Sequence, residues 1–109
     1  MKRGDIVTVA LPGDAGKPRP AVIVETDLLA PTDHVIVCPG TSHVREDVGQ
    51  RRVYVEPAEG NGLLVATQFQ ADKITVTRRS KCGTVIGRLD DETVERLNGV
   101  LALVIGLAD

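Results

Sequence analysis

At 109 residues, 42% of them hydrophobic and 26% charged, the chain has the composition of a folded domain with one modest core, which excludes a disordered segment. No apolar run reaches the ~20 residues that span a bilayer, and the opening Met1-Lys2-Arg3-Gly4-Asp5 does not read as a signal peptide. A net charge of −2, with Tyr54 and Phe69 the only aromatic residues, excludes a generally basic nucleic-acid binder and a base-stacking sheet, so contact with nucleic acid would require a local cationic site.

Residues 6–11, mostly apolar, predict a first strand, opened by Gly4-Asp5 and closed by Pro12-Gly13. Residues 12–20 hold three prolines, two glycines, Lys17 and Arg19, and read as a loop. Residues 21–25 predict a second strand, 28–33 a connection around Pro31, and 34–38 a third strand ended by Pro39-Gly40. The polar stretch 41–49 follows. Residues 52–56 alternate polar and apolar, as a strand with one wet face does. Asn61-Gly62 is a hairpin signal, after which 63–67 resume a strand; 73–77 alternate again, and 84–87 form a last short extended piece.

The period then changes. Asp90 suits a helix N-cap, Asp91 and Glu92 suit the positive end of the helix dipole, and Leu89 with Val94 fit a hydrophobic staple. Val94, Leu97, Leu101, Val104 and Ile105 recur at helical spacing on one face, and Gly106 can end the helix in a left-handed conformation. Gly99 costs such a helix ~1 kcal/mol relative to alanine; a close helix–sheet contact would account for it. Short strands followed by one terminal helix predict a mainly β, α+β domain over residues 1–109: a bent antiparallel sheet or small barrel with a packed helix.

Cys38 and Cys82 form no CxxC pair and no zinc pattern, and are expected as two buried, free thiols in a reducing, cytoplasmic compartment. His34 and His43 are not at ligand spacing with any Cys, Asp or Glu, there is no GxSxG elbow, and no glycine-rich phosphate loop precedes the helix, so neither metal nor cofactor is expected. Two polar strand ends remain: Lys17-Pro18-Arg19-Pro20 and Cys38-Pro39-Gly40-Thr41-Ser42-His43. On residue types alone they read first as a solvated loop charge and an ordinary turn. They form a site only if the topology brings the two ends together.

Four segments, "KRGDIVTVALP", "GKPRPAVIVETD", "VIVCPGTSH" and "GRLDDETVERLNGVLALVIGL", resemble in that order the MazF/PemK family of bacterial toxin endoribonucleases. The resemblance implies an SH3-like barrel with a C-terminal helix, a homodimer, no membrane, an antitoxin partner laid over the cleft, and metal-independent cleavage of single-stranded RNA. The arginine of the family's "RP" pair falls on Arg19, and the threonine ending its third strand falls on Thr41. Lys17, Ser42, His43 and Gln68 are the implied RNA contacts. A guanidinium fits phosphate because its donors form a planar fork. RNA supplies its own nucleophile, the 2′-hydroxyl, so the protein must hold the nucleotide in line and stabilise added negative charge.

Where some relatives carry an acidic base before a glutamine, this chain has Thr67-Gln68, which leaves the base unassigned and His43 as the candidate. The loop before Arg19 is shorter than in the family and lacks its "EQ-G" segment. Arg51-Arg52 and Arg78-Arg79-Ser80-Lys81 are either solvated faces or tracks for a phosphate backbone. Two other functions share the barrel: a CcdB-type toxin that binds DNA gyrase without chemistry, and a catalytically inactive interaction module.

Overall fold

The computed structural model describes all 109 residues. It contains seven strands, β1 (Asp5–Val9), β2 (Arg19–Ile23), β3 (His34–Thr41), β4 (Arg52–Val55), β5 (Thr67–Gln70), β6 (Thr75–Arg78) and β7 (Cys82–Arg88), followed by one helix, α1 (Asp91–Val104). Every pairing is antiparallel. The order is β4-β5-β3-β2-β1-β7, with β6 also on β3. The sheet is strongly bent and antiparallel with one terminal helix, as expected, but it remains open and does not close into the barrel the resemblance implies.

The bend comes from β3. Its first half, His34 to Val37, pairs with β6, while Gly40 and Thr41 pair with β5 along the same edge. β5 and β6 are consecutive and separated by one 3-10 turn, Ala71–Lys73. They act as a single strand turned around a corner.

Strands β1, β2 and β3 are apolar on both faces over most of their length because both faces are covered there; the start of β3, at His34 and Ile36, is open on one face. With side chains alternating, Ile6, Val22 and Cys38 join Phe69 and Leu97 in one core, whereas Val7, Val9, Ala21, Ile23, Val35 and Val37 form a second. α1 closes the first: Leu97 is buried, and Val94, Val100, Leu101 and Val104 pack against the same cluster. Burying a leucine side chain stabilises by about 1.5–3 kcal/mol, so α1 is held by its face more than by its intrinsic propensity. Both helix ends match their sequence signals. Asp90 accepts from the Thr93 amide at 2.7 Å, and Gly106, at φ 83°, allows the amides of Gly106 and Leu107 to reach Leu103 O and Ala102 O.

The structure differs from the sequence expectations at several places, and β3, expected to end at Pro39-Gly40, runs through them to Thr41. β2 begins at Arg19, not at residue 21: Arg19 and Pro20 pair with Val9 and Thr8. Proline is tolerated there because the β2–β3 ladder begins only at Ala21, so that edge asks no bond of the missing N–H. Residues 63–66 are not strand, and the Asn61-Gly62 hairpin does not form. Instead, buried Asn61 braces a long β4–β5 loop, accepting from the amides of Ala58 and Leu63 and donating to Glu56 O. This loop lies so close on β7 that a Cβ at Gly62 would stand 2.1 Å from Ile86 O. Around Gly99, no atom lies within 4 Å of an added Cβ, so no close contact explains that glycine; Ile105, expected on the apolar face, is exposed. Both cysteines are free, but Cys82 is only partly buried. The Cys38 thiol is pushed up to about 12, first by burial and then by the Asp72 charge.

Candidate active site

The strand ends singled out in the sequence meet. β2 and β3 pair through Ala21–Pro39, Val22–Cys38 and Ile23–Val37. The same register carried two residues further sets Arg19 opposite Thr41. With a side-chain period of two, both project from the face that, further along, carries the second core. Where that core ends, a cleft of about 500 Å³ opens, with Arg19 and Thr41 both on its walls. Its lining mixes the polar side chains of Asp14, Arg19, Thr41, Gln70, Lys73 and Thr75 with the apolar surfaces of Leu11, Pro12 and Pro39.

Arg19 is half-exposed and ion-paired, its Nε 3.4 Å from Asp14 Oδ1. Asp14 also accepts from the Leu11 amide at 3.1 Å, which folds the β1–β2 loop back on the start of β2. Thr41, the last residue of β3, accepts from the His43 amide at 3.1 Å. Its own O–H remains free to donate. The floor is bare backbone at Pro39 and Gly40. A Cβ at Gly40 would lie 2.7 Å from Thr67 Cγ2 and 2.9 Å from Phe69 Cε1, so only glycine fits. Gln70 closes the floor by donating to Pro39 O at 3.3 Å, and Lys73 and Thr75 complete the far wall. Two cations, Arg19 and Lys73, face one carboxylate, Asp14, so the cleft is locally positive on a chain of net charge −2.

The other sequence candidates lie elsewhere. Lys17, Ser42 and His43 are exposed, and none lines the cleft. Gln68 is buried, and both ends of its amide are engaged by one residue: Oε1 accepts from Arg45 N at 3.1 Å and Nε2 donates to Arg45 O at 2.7 Å. It clamps the loop after Thr41 to β5, and one of its two amide N–H groups is spent on that clamp. Thr67 is buried with its hydroxyl donating to Val65 O, as a packing residue would be. Asp14, Gln70 and Lys73 went unrecognised in the sequence. Asp14 looked like an ordinary turn residue after Pro-Gly, and Gln70 and Lys73 can be placed only once the corner between β5 and β6 is known. No three His, Cys, Asp or Glu side chains gather anywhere as a possible metal site.

A sequence profile described as PemK-like, MazF-like toxin of type II toxin-antitoxin system matches residues 2–105. A probable endoribonuclease MazF from Mycolicibacterium smegmatis is 35% identical over 109 residues, covering 99% of each chain. Among solved structures, an endoribonuclease in complex with its cognate antitoxin from a mycobacterial species superposes with a TM-score of 0.78 at 22% identity, over 98% of this chain and 96% of that one. The Mycobacterium tuberculosis toxin MazF-mt6 also gives 0.78, at 23% identity over 94% and 96%. A MazE–MazF crystal structure from Deinococcus radiodurans gives 0.72 at 20% identity, over 97% and 95%. At such identities the structural likeness speaks for the fold.

Proposed function

From the premise that the chain belongs to the PemK-like, MazF-like toxins of type II toxin–antitoxin systems, we propose that it is an endoribonuclease that cleaves single-stranded RNA in the Arg19–Thr41 cleft. One observation carries the reading to these residues: a guanidinium and a hydroxyl, on facing strand ends, share one locally positive cleft.

The substrate 2′-oxygen attacks the adjacent phosphorus, the bond from phosphorus to the 5′-oxygen breaks, and the products are a 2′,3′-cyclic phosphate and a 5′-hydroxyl. One proton leaves the 2′-hydroxyl and one joins the departing oxygen; the cleft is open to water, which carries both. Arg19 is assigned the charge, not the proton. With Asp14 beside Nε, its two terminal nitrogens are free to meet the phosphoryl oxygens as a fork. Thr41 donates its free O–H to the phosphate or holds the 2′-oxygen in line. Asp14 is engaged by both Arg19 and Leu11, so it suits orientation better than proton abstraction, and His43 lies outside the cleft walls. DNA, lacking the nucleophile, is not cut.

We read residues 1–109 as one domain acting as a homodimer in the cytoplasm on messenger RNA, restrained by an antitoxin; no helix is long and apolar enough to cross a membrane. Solved relatives are described in complex with a cognate antitoxin or as MazE–MazF assemblies. No feature of the cleft favours gyrase binding.

The test is incubation of the purified protein with mixed single-stranded RNA in EDTA, with end mapping. Cyclic-phosphate ends, lost in Arg19→Ala and reduced in Thr41→Val but not in Thr41→Ser, support the reading. RNA left intact by the wild-type protein, or cleaved equally by Arg19→Ala, overturns it.

A further inference from the structure

The 3-10 turn that bends β5 into β6 is fixed from three sides. Ala71 is buried in the first core. Asp72 is ion-paired at 3.2 Å to Arg52, whose side chain is only 5% exposed. α1 packs on the same turn. The third turn residue, Lys73, is exposed, and none of the five ion pairs includes it. Its neighbour Asp72 is already neutralised by Arg52, so the Lys73 charge stands uncompensated on a rigid support. That support forms the cleft wall facing Arg19, with the Pro39–Gly40 floor and the pinned Gln70 between them.

The two cations are electrostatically unequal. Arg19 shares its charge with Asp14, whereas Lys73 shares its charge with nothing. An ammonium is a compact point charge with three rotatable donors and no planar fork, so it suits charge attraction better than oriented stabilisation of a reacting centre. A single strand laid along the floor from Arg19 and Thr41 passes this charge next. We propose that Lys73 is a second backbone-phosphate site, holding a phosphate that flanks the scissile one and setting how strongly RNA of any sequence enters the cleft. The inference rests on the RNA-cleaving reading above.

The test uses the full chain and single-stranded RNA carrying 2′-deoxy nucleotides, which binds without being cleaved. Each phosphate contact to a single strand contributes about 0.7 to the slope of log affinity against log salt. Lys73→Ala is expected to lower that slope by about 0.7 and Lys73→Arg to restore it. With cleavable RNA, Lys73→Ala should raise KM by about tenfold and change kcat less than twofold, because the contact is made equally before and during reaction. An unchanged slope and KM in Lys73→Ala, or a loss confined to kcat, overturns the proposal. A shifted slope in a protein that cleaves no RNA would keep the phosphate site and overturn the catalytic reading instead.

Discussion

Asp14 and Arg19 meet through a loop that doubles back, the Arg19 Nε resting 3.4 Å from Asp14 Oδ1. The fold-back requires left-handed backbone at Gly13, Ala15 and Gly16, with φ of 95°, 52° and 77°, and alanine enters that region only where its surroundings enforce it. The pair orients the guanidinium while offsetting part of its charge. Asp14→Ala is therefore expected to lower kcat for RNA cleavage by roughly tenfold or more, since small misplacements of a charge-stabilising group are expensive. Affinity for uncleavable RNA should stay the same or rise, because a negative charge has left the cleft. Single-turnover kinetics with a binding titration separate the two effects, and an unchanged kcat would make the ion pair incidental.

Gly40 supports the cleft floor from beneath. An added methyl would meet Thr67 Cγ2 at 2.7 Å, Phe69 Cε1 at 2.9 Å and Pro20 O at 3.1 Å. The last is backbone and cannot rotate away. Gly40→Ala should cost about 1–3 kcal/mol, the usual cost of overpacking, measurable by urea denaturation. Cleavage should fall more than stability alone explains, because the displaced Pro20 carries Arg19 with it.

The helix offers the opposite case. Nothing lies within 4 Å of a Cβ at Gly99, so Gly99→Ala is expected to stabilise by about 0.5–1 kcal/mol. Thermal denaturation should show the gain, with RNA cleavage unaltered. A loss of stability would mean that the open face is occupied in the assembled protein.

Two titrations give stability opposite slopes with pH. The thiol of Cys38 is raised from 9.0 to about 12, chiefly by burial. Below pH 9 it is protonated whether folded or unfolded; above 9 only the unfolded chain releases the proton, so stability is lost as pH climbs towards 12. Cys38→Ala should flatten this alkaline limb, and at pH 8 the native Cys38 should resist alkylation that the unfolded chain accepts. Asp90 shifts the other way. Hydrogen bonds from Thr93 hold its carboxyl below the usual range. Its contribution is present above the unfolded carboxyl pKa and disappears as acid protonates the folded group. The Tm difference between the wild-type protein and Asp90→Ala should therefore shrink as pH falls below about 4.

What the sequence made legible follows the reach of each signal. Local signals worked: Asp90 and Gly106 act within one turn of α1, and the apolar runs of β1, β2 and β3 need only their own composition. Pro and Gly drew attention to the two polar ends, but residue types alone read them as a solvated charge and a turn, and only the family resemblance gave Arg19 and Thr41 their expected roles. Signals that depend on distant partners failed. Asn61-Gly62 reads as a hairpin until β7 is laid against it, where Gly62 must pass Ile86 O. That the Gln68 amide is held at both ends by Arg45 shows only once the loop after Thr41 closes on β5. Lys73 is indistinguishable from any strand-start lysine before the chain turns the corner at Ala71.

The burial of β1, β2 and the later part of β3 on both faces also bears on the order in which the protein opens. Arg19 and Thr41 terminate strands whose side chains are sealed in two separate clusters, only one of which depends on α1. Fraying of the helix is therefore expected to leave the other cluster closed and the Arg19 and Thr41 side chains still sharing their cleft. In native-state hydrogen exchange, the amides of Val7, Ala21 and Val37 should be the last to yield, at the free energy of global unfolding, while those of α1 exchange through smaller excursions. On this expectation the proposed catalytic geometry is mounted on the slowest-opening part of the molecule, and partial loosening elsewhere would not by itself disarm it.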